Sequence, residues 1–84
     1  MKKLDETAVT SWVVSYLADF LDVDAKTITA DVNFDELGLD SVDSVIVGGA
    51  LEEAFDVEID ATLFLRNSNL TELVSDLRVH GIVA

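Results

Sequence analysis

The chain has 84 residues, half of them apolar, and a formal charge of −12 from 17 acidic against 5 basic side chains. That length holds one small core, and so large an apolar share argues against disorder. The acidity excludes nucleic acid and anionic membranes as partners and favours proteins with basic patches.

With no cysteine, a disulfide framework and a thiolate metal site are both ruled out. No apolar run approaches the roughly 20 residues needed to span a bilayer. Met1 to Glu6 contains no apolar core of a secretory signal. Residues 1–84 therefore read as a single, cytoplasmic, monomeric domain.

In chain order, Val9, Val13, Tyr16, Leu17 and Phe20 recur at helical spacing and predict a first helix over Glu6–Leu21. Asp5, Glu6 and Thr7 supply capping oxygens and negative charge at its start. Trp12 lies beside the stripe as a packing residue with its indole N–H at the rim. Asp22 to Asp40 reads as a long loop with short helical turns, pinned by Val23, Ile28, Val32, Phe34 and Leu37. Gly38 allows a left-handed turn before a second helix over Ser41–Phe55. Asp56 to Asp60 turns the chain, and Ala61 to about Arg66 forms a short third helix. Asn69 opens a fourth, with Glu72 as capping-box partner and Leu70, Leu73, Val74 and Leu77 on the buried face. His80-Gly81 suits its exit. The expected fold is all-α: a four-helix bundle with a long first connection and a short third helix.

The second helix has two apolar faces. At about 100° per residue, Ser44, Val47, Gly48, Leu51 and Phe55 share one side. Val42, Val45, Ile46 and Gly49 project from roughly the opposite side, flanked by Glu52 and Glu53. An amphipathic helix should be polar there. Either the helix is buried all round or the second face docks a partner; burial on every side is hard to arrange in so small a bundle, which favours docking. Gly48-Gly49 costs roughly 1 kcal/mol per glycine relative to alanine. Close packing at Gly48 and a low, smooth docking face at Gly49 both account for the pair.

Asp40-Ser41 at a helix start is, by itself, a capping signal. Its surroundings carry more. Phe34, Leu37-Gly38, Asp40-Ser41-Val42, then a helix ending in Leu51-Glu52-Glu53 and Phe55, resemble the modification site of the acyl carrier protein family, which includes the peptidyl carriers. The likeness continues through Ile59, Thr62-Leu63-Phe64 and the capped last helix. Ala61 to Leu77 is nearer the polyketide and nonribosomal-peptide branch, whereas Ile46 and the two glycines depart from the fatty-acid branch. The resemblance implies a carrier without catalytic activity. It would be modified at Ser41 with 4′-phosphopantetheine by a phosphopantetheinyl transferase, Asp40 helping to position the metal and coenzyme A there. It would deliver acyl or aminoacyl thioesters to acyl-loading and acyl-processing enzymes with basic docking patches, in fatty acid, polyketide or related biosynthesis. Helix-terminal N–H groups and the positive end of the dipole suit a phosphodiester at Ser41. Ser44 falls on the core face and is a poor alternative.

Other chemistries match less well. Asp31, Asn33 and Asp35 copy the first ligand positions of a calcium loop, but Glu36 stands where glycine is required and Val42 where glutamate is. The single histidine, His80, has no evident relation to Ser41 that would activate it as a nucleophile. A small helical adaptor that binds a protein through Val42–Ile46, without modification, is the alternative reading.

Overall fold

The computed structural model describes residues 3–60 and 62–84. Asp5 begins the first helix, α1 (Glu6–Leu21), by accepting the Thr7 N–H. Val9, Val13 and Leu17 are its fully buried residues. Tyr16 and Phe20, also on the predicted stripe, sit at its margin. Trp12 and Tyr16 stack at 4.8 Å, Tyr16 and Phe20 at 5.8 Å, and Trp12 meets the edge of Phe55 at 6.2 Å. Rings four residues apart on a helix overlie one another, so the excess aromatic width of the stripe runs along the rim.

The connection that follows contains one short 3-10 turn, Ala25–Thr27. Ile28, Phe34 and Leu39 plug it into the core, while Val23, Val32 and Leu37 are half-buried. Backbone bonds secure it to the far end of the chain: Phe34 N–H donates to Ser68 C=O at 2.8 Å, and Thr71 N–H to Ala30 C=O at 3.1 Å. Gly38 adopts φ 96°, as its place before the second helix requires.

Helix α2 runs Ser41–Phe55, α3 Leu63–Arg66 and α4 Leu70–Val79, giving four α-helices among the described residues. The predicted start of the third helix at Ala61 lies outside the described residues; Thr62 is its N-cap. At α4, Asn69 Oδ1 accepts the Glu72 N–H at 2.9 Å. The return bond of the box goes one residue earlier than predicted, from Ser68 N–H to Glu72 Oε1 at 2.8 Å. His80 caps the C-terminus, and Gly81 at φ 74° turns the chain out of the helix.

Two features tie the elements together beyond helix packing. Leu4 and Val83 form an isolated parallel β-bridge, with Leu4 N–H donating to Ile82 C=O at 2.8 Å and Ala84 N–H to Leu4 C=O at 3.1 Å. Val83 is fully buried there, and Arg78 pairs with Glu6 alongside. Asp76 of α4 is the second tie. It accepts from Arg66 at 2.9 Å and from Asn67 at 2.8 Å, fixing the end of α3, and lies 2.8 Å from His80 Nδ1. These hydrogen bonds, Asn67's first, then Arg66's and its charge, outweigh desolvation and hold the Asp76 carboxyl below its ordinary range.

Candidate functional site

The start of α2 is built by Asp40. Its Oδ1 accepts the Asp43 N–H at 2.8 Å, and its carbonyl accepts the Ser44 N–H at 2.9 Å. Ser41 is the first helical residue and is exposed. The helix leaves the N–H groups of its first residues without intrahelical partners, next to the positive end of its dipole. Ser44, one turn on, has the opposite environment: it is 3% exposed, and its hydroxyl donates to the Asp40 carbonyl at 2.8 Å. Among the described residues no hydrogen bond engages the Ser41 hydroxyl.

Ser41 opens onto a cleft of about 390 Å³. Phe34, Leu39 and Asp40 line it from the loop side, and Phe64, Leu65 and Asn67 from α3 and its exit. The Phe34 and Phe64 rings meet at 5.3 Å and set the spacing of the two walls. Phe34, Leu39, Phe64 and Leu65 give the cleft an apolar side, and Asp35, Asp40, Asn67 and the serines a polar one; this mixed lining matches a chain of methylenes and amides, and the helix start matches a phosphodiester. The residues present thus fit a phosphopantetheine arm.

The two faces of α2 separate as the periodicity predicts. Ser44, Val47, Gly48 and Leu51 are buried and Phe55 is half-buried, whereas Val42 is 68% and Ile46 48% exposed, with Val45 and Gly49 exposed beside them. A Cβ built on Gly49 meets open space. Glu53 is exposed, but Glu52 has an internal task that its place in the pattern does not reveal: its Oε2 accepts the Ile59 N–H at 2.8 Å and folds back the α2–α3 connection. Leu65, 49% exposed on α3 and bordering the same cleft as Ser41, extends the apolar surface across a second helix. The sequence signal for Leu65 is weak, since three apolar residues run together at 63–65 and periodicity does not say which one faces out.

A depression of about 700 Å³ between Glu52 and Asp60 is lined by four carboxylates besides Glu52 and by Val57 and Ile59, without a nucleophile or a histidine. No cluster of histidine, cysteine and carboxylate side chains suited to a metal occurs among the described residues, and Asp31 is engaged by the Thr29 hydroxyl at 2.8 Å. His80 stands at the exit of α4, whose ten residues extend about 15 Å from the end that faces the cleft.

Residues 11–77 match the family described as phosphopantetheine attachment site. The chain is 49% identical over 57 residues to acyl carrier protein 2, mitochondrial, of Arabidopsis thaliana, covering 67% of this chain and 45% of that one. It is 35% identical over 75 residues to the mitochondrial acyl carrier protein of Dictyostelium discoideum, covering 89% and 62%. It is also 32% identical over 65 residues to a conidial yellow pigment biosynthesis polyketide synthase of Penicillium expansum, covering 77% of this chain and 3% of the synthase. The chain thus spans less than two thirds of the length of each of these relatives. With an all-helical fold, and a family match over most of its length, this chain belongs to the acyl carrier protein family, whose members bear covalent 4′-phosphopantetheine and are carriers, not catalysts.

Proposed function

We propose that Ser41 is the attachment point of the 4′-phosphopantetheine arm and that this chain carries acyl or aminoacyl units between partner enzymes. The contrast between the two serines at the start of α2 carries this reading: Ser41 is exposed and unengaged by described residues, whereas Ser44 is buried and bonded to Asp40. In the transfer from coenzyme A, the Ser41 oxygen bonds to the phosphorus that bears pantetheine and the diphosphate P–O bond breaks. Adenosine 3′,5′-bisphosphate leaves, and the hydroxyl proton passes to a base of the phosphopantetheinyl transferase. Asp40 keeps the helix start in place through Oδ1, and its carboxylate would help position the metal that accompanies coenzyme A in that transferase. Once bound, the arm supplies a thiol that holds acyl units as thioesters. The first-turn N–H groups would stabilise its phosphodiester, and tethering would raise the effective concentration of cargo at a docked active site.

Val42, Val45, Ile46, Gly49 and Leu65 form the apolar centre of the partner face in this reading, with Glu53 and the outer part of Glu52 as its acidic rim. Partners are acyl-loading and acyl-processing enzymes with basic docking patches, met by a monomeric carrier. A cytoplasmic location is part of this reading; no helix among the described residues is long and apolar enough to cross a membrane, and the mitochondrial designation belongs to the two relatives that bear it. Intact mass after coexpression with a broad-specificity transferase tests the assignment. A gain of one phosphopantetheine supports it, and an unchanged mass in active transferase would leave an unmodified adaptor.

A further inference from the structure

One polar atom beside Ser41 has no task in the fold. Asn67 leaves α3 with an extended backbone, φ −119° and ψ 133°, and lines two surfaces at once: the cleft at Ser41, and a depression along α4 that Asp76 also lines. Its Nδ2 donates to the Leu63 carbonyl at 2.9 Å and to Asp76 Oδ2 at 2.8 Å. The carbonyls of so short a helix lack intrahelical partners, and Asn67 satisfies one of them. Both partners are pure acceptors, a carbonyl and a carboxylate that is also paired with Arg66. Only the NH2 end of the amide can meet them, and a flip would set oxygen against oxygen. The side chain is therefore held one way round. Oδ1 is left over, and among the described residues nothing donates to it. It is not sealed in either, because no buried side-chain nitrogen or oxygen among them lacks a partner.

The other side-chain oxygens of the cleft suit a neutral ligand less well. Asp40 is occupied by the Asp43 N–H, and the Ser44 hydroxyl is buried against the Asp40 carbonyl. Asp35 is an exposed carboxylate, which gives up its water at a high cost. Asn67 is uncharged, half-buried and on the same wall as Phe64 and Leu65. A carbonyl with little water to lose and its rotamer already fixed is a good acceptor for an amide N–H.

We infer, on the basis of attachment at Ser41, that Asn67 is an arm-binding residue: its Oδ1 accepts an amide N–H of the phosphopantetheine arm. Asn67 then has two ends with separate tasks, the NH2 tying α3 to α4 and the carbonyl holding the arm at the cleft. One neutral hydrogen bond contributes modestly in water. It retains the arm between deliveries and yields when a partner's active site competes for it.

The chain is loaded by a phosphopantetheinyl transferase with coenzyme A isotope-labelled at its pantetheine amides, and loading is checked by intact mass. Relative to free pantetheine in the same buffer, one arm amide proton should move downfield and exchange roughly fivefold more slowly. The side-chain NH2 resonance of Asn67 should shift between the unloaded and loaded forms. Asn67→Leu, similar in size and checked for folding by its melting temperature, should return the arm amide to its free position. Arg66→Ala loosens the same end of α3 by removing bonds to Asp60 and Asp76 but leaves Asn67 in place, and should retain the shifted amide. Arm amides at free values in loaded wild type, or a shifted amide that survives folded Asn67→Leu, would overturn the inference. Equal loss of the shift in Arg66→Ala and Asn67→Leu would overturn it too, leaving Asn67 as a tie of α3 and nothing more. No gain in mass would remove attachment at Ser41 and this inference with it, whereas a gain in mass with free-value amides removes this inference alone.

Discussion

At the scale of single residues, two neighbouring helical turns illustrate how one backbone gives different tasks to like side chains. Ser41 and Ser44 differ by less than one turn, yet among the described residues only the Ser44 hydroxyl finds a partner. Leu51 and Ile46 are both large and apolar, yet Leu51 is fully buried and Ile46 is half exposed. Leu51→Ala should therefore cost roughly 2–5 kcal/mol in urea melts, and Ile46→Glu close to nothing. Comparable losses would mean that the outer face is structural. Gly49 gives a test of the opposite sign. Its Cβ position is open and the residue lies mid-helix, so Gly49→Ala should stabilise the protein by roughly 1 kcal/mol. Equal or lower stability in thermal melts would contradict that account of the glycine. The periodicity of residues 41–55 was sufficient to separate these faces, because a fully helical segment makes azimuth a function of position alone. Leu39 was not found by that route: it is buried at the end of an irregular segment, where no period applies.

At the scale of elements, local signals located the helices and nonlocal ones hold them. Asp5, Asp40 and Asn69 each accept a first-turn N–H, which is why the helix starts were legible. The Leu4–Val83 bridge and the Asp76 hub were not, since each joins residues whose proximity only the finished fold creates. Val83, beyond the exit of α4 where no helical period applies, is core. Val83→Ala should cost about 2 kcal/mol by equilibrium unfolding; a negligible loss would show that the terminal bridge is ornamental to stability. Asp76 gives a pH test. Its folded-state pKa is lowered, so its charge stabilises the protein fully above the unfolded value near 3.8, and that stabilisation is lost as pH falls through the folded value. Asp76→Asn should melt lower than wild type at neutral pH, and the gap should close on acidification below about 3.8. A gap independent of pH would assign the hub's contribution to hydrogen bonds alone.

At the scale of the whole molecule, charge opposes folding while it serves recognition. Seventeen carboxylates share a domain with a Cα radius of gyration of 11.7 Å. Among the five basic residues, Arg66 and Arg78 are already paired with Asp60, Asp76 and Glu6. The screening length is about 10 Å at 0.1 M salt, close to the size of the molecule, so added salt reaches most of the repulsion. Melting temperature should rise across a salt series, and magnesium should raise it further. Association with a basic transferase should slow in the same series. A melting temperature that stays flat or falls would show that the charges are compensated locally. The fold class and the attachment motif were both open to reading because they depend on pattern within one helix and its approach. The second wall of the cleft was not, because Phe64, Leu65 and Asn67 are brought to Ser41 by the packing of α3 on α2.

The central claim, that Ser41 bears the arm, is tested most directly by mass spectrometry of three proteins treated alike with a phosphopantetheinyl transferase and coenzyme A: wild type, Ser41→Ala and Ser44→Ala. The account predicts one phosphopantetheine on wild type and on folded Ser44→Ala, and none on Ser41→Ala with its melting temperature unchanged. A mass gain that survives Ser41→Ala, or disappears only with Ser44→Ala, would contradict it.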